Sequence, residues 1–277
     1  MPSLIQAEDV SYVYRDGTHA LKDVSVSFNC GEIVAIIGRN GSGKTTLAKV
    51  LTGMFRPTSG RVLVEEKDYL AYTVAELGKE VGYVFQNFDY HLFSDSVTNE
   101  IAFGLKNLGL GSEEIDARIG KTLKLLSLER YKDVHPRRLS SGERQSVAIA
   151  SVLAMKPSTI ILDEPTRGQD YKRTMKIMQF VKQLNSEGKL VILISHNISH
   201  IATYSQRIVA LHDGKIVADG PTTEILGDTK LLEQMRLKPT PIMQLREMLR
   251  EKGCPSNVFS VDDMAKFIQE HSRRHQS

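Results

Sequence analysis

A chain of 277 residues, 41% hydrophobic and 25% charged, has the makeup of an ordinary globular protein, sized for one large domain with or without an appendage. Its net charge of +3 is too weak for a nucleic-acid carpet or a polybasic membrane anchor. Apolar runs such as Ile33 to Ile37 and Val191 to Ile194 are strand-length, well short of the ~20 residues that cross a bilayer.

In chain order, Met1 to Asp9 lacks the basic start and apolar core of a secretory signal. Val10, Tyr12 and Tyr14 then alternate with Ser11, Val13 and Arg15 at the two-residue period of a strand. After the turn signal Asp16-Gly17 the pattern resumes through Leu21, Val24, Val26 and Phe28. Glu32 to Gly38 reads as a strand buried on both faces, running into a glycine-rich loop and a helix from Lys44 to Leu51. Residues 95–138 are helical in character, with Ser112 expected as an N-cap ahead of Glu113 and Glu114. Strand and helix then alternate: a strand ending at Asp163, a helix over about 172–185 and a strand Leu190 to Ser195, which argues for a parallel sheet. Asp213-Gly214 and Gly220-Pro221 mark a late hairpin. Lys238-Pro239-Thr240-Pro241 makes a break before two short amphipathic helices, Ile242 to Glu251 and Ser260 to Glu270. Cys30 and Cys254 match no zinc spacing and are expected to be reduced structural thiols of a cytosolic protein. Any membrane role must then come through a partner chain.

Three segments carry chemistry. Gly38 to Thr45 fits G-x-x-x-x-G-K-[ST], placed between a buried strand and a helix. A triphosphate needs many directed donors and a cation; backbone N–H groups of such a loop, Asn40 and Ser42 included, wrap the phosphates at a helix N-terminus. Gly38, Gly41 and Gly43 permit the close approach, Lys44 reaches the outer phosphates and Thr45 holds Mg²⁺ through its hydroxyl. Thr46, an ordinary helix residue, sits at the edge of this nucleotide set. Asp163 and Glu164 end an apolar strand and so emerge at the carboxyl edge of the sheet, where ligands sit. Asp163 suits a Mg²⁺ shell and Glu164 a general base that orients water. Leu139-Ser140-Ser141-Gly142-Glu143 reads equally well as a capping box opening a helix and as an anion clamp at that helix's N-terminus.

The order of phosphate loop, helical block, LSSGE and Ile160-Ile161-Leu162-Asp163-Glu164-Pro165 resembles the nucleotide-binding subunit of an ATP-binding-cassette (ABC) transporter, over about residues 1–230. The resemblance implies an α/β fold: a P-loop NTPase core with a parallel sheet, an N-terminal antiparallel β-subdomain, and an inserted helical subdomain at about 95–157. Residues 1–236 would form this domain and 237–277 a small C-terminal helical appendage. It implies an ATPase that uses ATP and Mg²⁺ and pairs head to tail with a second ATPase subunit, identical or related. Each ATP would lie between one chain's phosphate loop and the other's Ser140, Ser141, Gly142 and Glu143. By position, Tyr14 (or Tyr12, which points the same way) would stack on adenine, Gln86 would be the Q-loop glutamine beside Mg²⁺, Asp170 the D-loop aspartate and His196 the switch histidine. Lys44, Gln86, Glu164 and His196 form the implied catalytic set; Thr45, Gln86 and Asp163 the implied metal set. Ser141 and Glu143 depart from the usual LSGGQ, and Gln169 stands where leucine is common in the D-loop.

Phe85 to Phe93 is similar to the Q-loop stretch QNPDxQLF of energy-coupling-factor (ECF) ATPases, matching at Asn87, Asp89, Leu92 and Phe93 and departing at Phe88 and His91. Pro239-x-Pro241-x-x-x-Gln244-Leu245 and Gly253-x-Pro255 resemble that subfamily's tail. This implies an importer for a vitamin or transition-metal ion, with a transmembrane coupling protein docked near Phe85, Phe88, Tyr90 and Phe93, a separate substrate-binding membrane protein, and a place on the cytoplasmic face of the membrane. His91 is assigned no metal. Alternatives are the ATPase of an exporter or binding-protein importer, or a soluble cassette ATPase acting on DNA or ribosomes. The chain lacks the coiled coil or second cassette of the latter. No nucleic-acid partner is expected.

Overall fold

The structure, a computed structural model, describes residues 4–237 and 239–274. Met1 to Ser3, Lys238 of the expected break and the last three residues of the appendage lie outside the described residues. The elements in order are β1 (Ile5–Val13), β2 (His19–Phe28), β3 (Ile33–Ile37), α1 (Lys44–Leu51), β4 (Ser59–Val64), β5 (Lys67–Asp68), α2 (Val74–Glu80), β6 (Val81–Val84), α3 (Val97–Asn107) and α4 (Ser112–Leu126). There follow α5 (Ser141–Ala154), β7 (Thr159–Asp163), α6 (Tyr171–Ser186), β8 (Leu190–Ile194), α7 (Ile198–Tyr204), β9 (Arg207–His212), β10 (Lys215–Pro221), α8 (Thr222–Gly227), α9 (Thr229–Gln234), α10 (Pro241–Met248) and α11 (Val261–Arg274).

Two sheets form. An antiparallel sheet runs β2-β1-β4-β5, and a six-stranded sheet runs β10-β9-β3-β8-β7-β6, parallel except for β10. Every residue of β3, β7 and β8 is buried, as their unbroken apolar runs require of strands covered on both faces. Their register sets Ile36, Ile194 and Asp163 side by side, so the loops after β3, β7 and β8 leave from one edge. β6 pairs Val84 with Leu162, which brings Phe85 and Gln86 to the same edge. One core fills the space between the two sheets and α1; a second lies between the large sheet and α6; α3, α4 and α5 enclose a third.

The short strands β4, β5 and β6 lie in a stretch whose sequence shows no clear period. Ser112 is the first residue of α4 rather than its cap: Gly111 holds the cap position and no side chain bonds there. Cys254 is buried as expected, whereas Cys30 is exposed and contributes nothing to a core. The appendage has a small apolar cluster of Cys254, Val258 and Met264, while Met243 and Phe259 pack into a core shared with Leu232 and Met235.

Ile36 is fully buried at the centre of the large sheet. Ile36→Ala is expected to cost about 2–5 kcal/mol, read as a lowered urea midpoint at unchanged slope.

Candidate active site

The phosphate loop is pinched between two strands. A Cβ on Gly38 would lie 2.2 Å from the Leu211 carbonyl oxygen in β9, and one on Gly43 would lie 2.5 Å from the Ala20 carbonyl in β2. Gly43 also holds φ 103° as the cap of α1, a conformation that a side chain disfavours. Lys44 is buried and curls over the loop, its Nζ donating to the carbonyls of Gly38 (2.8 Å) and Arg39 (2.7 Å). Burial lowers the Lys44 pKa, against the opposing pull of Glu164 and Asp163.

Asp163, 2% exposed, is the junction of the site: its Oδ2 accepts from Thr45 Oγ1 at 2.8 Å and from the Tyr83 hydroxyl at 2.9 Å. The next residue, Glu164, turns the chain at φ 52°, its N–H donating to the Ile194 carbonyl at 2.8 Å. Burial, and then the charge of Asp163, push the Glu164 carboxyl up to about 7. Nε2 of His196 lies 3.2 Å from Glu164 Oε1. Burial first, then Lys44 and Arg167, lower the His196 pKa, so its imidazole is neutral at neutral pH.

A cavity of 460 Å³ opens over these groups, lined by Tyr14, Lys44, Gln86, Asp163, Glu164 and His196 among others; Asn40, Gly41, Gly43, Thr45 and Thr46 also border it. Gly38 and Ser42 stand behind that surface. Thr46 bonds the Tyr14 hydroxyl at 2.9 Å, fixing Tyr14 at the cavity mouth. Tyr12 instead stacks on Phe55, with ring centroids 5.0 Å apart, and meets Tyr14 edge-on. Thr45 and Asp163 offer hard oxygens suited to Mg²⁺. Among the described residues no cluster of three or more His, Cys, Asp or Glu could hold a metal, so an ion here would draw its further oxygens from water or a nucleotide.

Ser140, Ser141, Gly142, Glu143 and Asp170 are not part of this cavity. Ser140 and Glu143 form a complete capping box on α5. The Glu143 carboxylate also accepts from the Tyr131 hydroxyl; that bond, then those from Ser140, hold it down at about 2. Gly142 is crowded from its own chain: a Cβ there would fall 1.9 Å from Arg173 Nη1 and 2.6 Å from Gln169 Oε1. Gln145, buried in α5, donates to the Pro165 carbonyl at 2.7 Å, and Asp170 caps α6. Tyr83, Tyr131, Gln145 and Arg173 carried no signal in the sequence, because each acts through a contact distant in the chain.

A larger apolar groove of 630 Å³ lies between β6 and the helical subdomain, with Met54, Val74, Phe85, Tyr90, Phe93 and Phe103 in its wall. Tyr90 is 80% and Phe93 62% exposed. His91 is half-buried there, its Nε2 3.0 Å from Ser151 Oγ, and desolvation pushes its pKa down to about 4.

A strand–glycine loop–helix facing two carboxylates at the edge of a parallel sheet defines a P-loop nucleotide-binding cassette. Residues 21–167 match the family model described as ABC transporter, and the chain belongs to that family. It is 37% identical over 273 residues to the energy-coupling factor transporter ATP-binding protein EcfA2 of Clostridium tetani, covering 95% of each chain. Its structure resembles cbiO1 from Clostridium perfringens, part of the ABC transporter complex cbiONQ, at 34% identity and a TM-score of 0.74, covering 89% of this chain and 100% of that one. It also resembles an ATP-binding cassette solved as a dimer in a post-hydrolysis state with ADP and Pi, at 32% identity and a TM-score of 0.72, covering 79% and 98%. The chain spans about half the length (44–46%) of three other curated relatives, from Methanosarcina and Caldanaerobacter, that are 38–43% identical to it.

Because the folded Glu143 carboxyl lies below its ordinary value, its contribution to stability is present above about pH 4.5 and is lost as pH falls toward 2. Glu143→Ala is expected to cost about 1–2 kcal/mol at pH 7, solvent access trimming the gain. In denaturant titrations across pH, the difference from the parent should shrink below pH 4.

Proposed function

We propose that the chain binds and hydrolyses ATP to energise an ECF-type importer for a vitamin or a transition-metal ion. One observation carries the ATPase reading. Lys44, Thr45, Gln86, Asp163, Glu164 and His196 share one cavity, while Ser140 to Glu143 and Asp170 lie outside it. A site split in this way is completed by a second subunit, identical or related, set head to tail.

In this reading Tyr14 stacks on the base, the loop's N–H groups hold the phosphates and Lys44 exchanges its two carbonyl partners for the outer phosphates. Thr45 and Asp163, with Gln86 beside them, would hold Mg²⁺, which would supply charge neutralisation on the phosphates. Glu164, poised near neutral pKa, accepts a proton from water as it attacks in line, and neutral His196 keeps that carboxylate oriented. The partner's Ser140 helix stabilises the phosphoryl charge through its N-terminal N–H groups. Product release reopens the dimer.

The ECF assignment draws on the relatives' names and on the exposed aromatic groove, where a helix of a transmembrane coupling protein would seat, with a separate membrane protein binding the solute. No helix among the described residues is long and apolar enough to cross a membrane, so a place on the cytoplasmic face would be peripheral. The same proposal divides the chain into a cassette over 1–236 and a C-terminal domain over 237–277, and it includes no nucleic-acid partner.

Glu164→Gln should leave ATP affinity within about twofold while cutting turnover by roughly 10²–10⁴, measured by phosphate release. Full turnover in that variant would remove Glu164 as the base. Ser140→Arg should leave ATP binding by the single chain intact and abolish ATP-driven dimerisation in sedimentation. Isolation from the native membrane with a transmembrane protein of another transporter class would reject the ECF reading and leave the ATPase reading standing.

A further inference from the structure

Arg246, near the end of α10, is only 4% exposed. A buried guanidinium ordinarily has a carboxylate beside it, since burying an unpaired charge is costly. Arg246 forms no ion pair among the described residues. Its neighbour Glu247 favours the Arg246 charge through space but makes its ion pair with Arg250, at 3.2 Å. What Arg246 does have is a hydrogen bond from Nη1 to the Ser256 carbonyl at 2.8 Å and the face of the Phe259 ring 5.0 Å away. The carbonyl end of α10 adds partial negative charge. None of these is a full counter-charge, and arginine cannot escape by deprotonating.

The same guanidinium lines a cavity of 180 Å³ with Gly227, Glu247, Arg250, Cys254 and Ser256. Two arginines against one glutamate leave this lining at a formal charge of +1 (+2 − 1). Gly227 closes α8 of the cassette, whereas the other five residues belong to the appendage, so the cavity sits at their junction. It is far smaller than the 460 Å³ over the phosphate loop: room for a small ion, not for a nucleotide.

We propose that this junction cavity is a binding site for a tetrahedral oxyanion of phosphate size, with Arg246 as its floor and Arg250 at its rim. A planar guanidinium offers paired N–H donors to two oxygens of such an ion, and Arg246 spends only one hydrogen bond within the chain. Occupation supplies a counter-charge in direct contact and ties the appendage to α8. The site is independent of the phosphate loop and does not rest on the ATPase reading.

Cys254, buried in the cavity wall, is a local reporter that the phosphate loop cannot influence directly. In full-length Cys30→Ser protein, which removes the exposed thiol, the rate of Cys254 alkylation is measured against inorganic phosphate at fixed ionic strength, with acetate and chloride as controls. Phosphate is expected to slow alkylation saturably, by fivefold or more, and Arg246→Gln to abolish that protection. Arg250 is 77% exposed at its side chain, so Arg250→Gln spares the fold, and it should shift half-protection to at least threefold higher phosphate. If Arg246→Gln does not fold, the parent titration and Arg250→Gln decide. A rate indifferent to phosphate, or slowed as strongly by acetate or chloride, overturns the site. So does protection unchanged in both arginine variants.

Discussion

The buried charge at the end of β7 organises this molecule. Two adjacent carboxylates, Asp163 and Glu164, are almost wholly withdrawn from water, and such a pair persists only where its surroundings compensate it. Each answers differently. Asp163 takes two hydroxyl donors, Thr45 from the first helix and Tyr83 from the neighbouring strand, and so stitches three separate segments together. Glu164 has weaker compensation, and its proton affinity rises accordingly. The neighbours differ in their surroundings: Asp163 accepts two hydroxyl bonds through Oδ2, whereas Glu164, at a left-handed turn, has His196 Nε2 3.2 Å from its Oε1.

The parts legible in the sequence were those coded locally. The glycine spacing of the phosphate loop, the unbroken apolar runs of β3, β7 and β8 and the Ser140–Glu143 box each declare themselves within eight residues. What was hidden depends on packing between distant segments. β6 is only four residues long and is recognisable chiefly by its pairing with β7. Ser112 looked like a cap because serine favours that position, yet the chain enters α4 one residue earlier. The preference for Tyr14 over Tyr12 had no local basis; the Thr46 hydroxyl places one ring at the cavity, and Phe55 takes the other.

Gly142 shows how one residue type can answer two demands. From sequence, a glycine at a helix N-terminus suggests room for an approaching anion. In the fold, the space beside its Cα is already filled by Arg173 and Gln169 of the same chain. The bond from Gln145 to Pro165 links the start of α5 to the loop after β7.

The crowding of Gly38 against Leu211 has a consequence for the order in which the protein can mature. The phosphate loop is complete as a motif by residue 45, but one of its walls is the carbonyl of a strand made more than 160 residues later. During synthesis from the N-terminus, the loop, the acidic strand and the serine-capped helix all emerge before β9 exists to close over them. A nascent chain that has reached only β8 therefore carries the phosphate loop, the LSSGE segment and the acidic strand without the cradle's final shape. The hairpin of β9 and β10, which has no motif of its own, is the piece that turns a legible sequence into a nucleotide site.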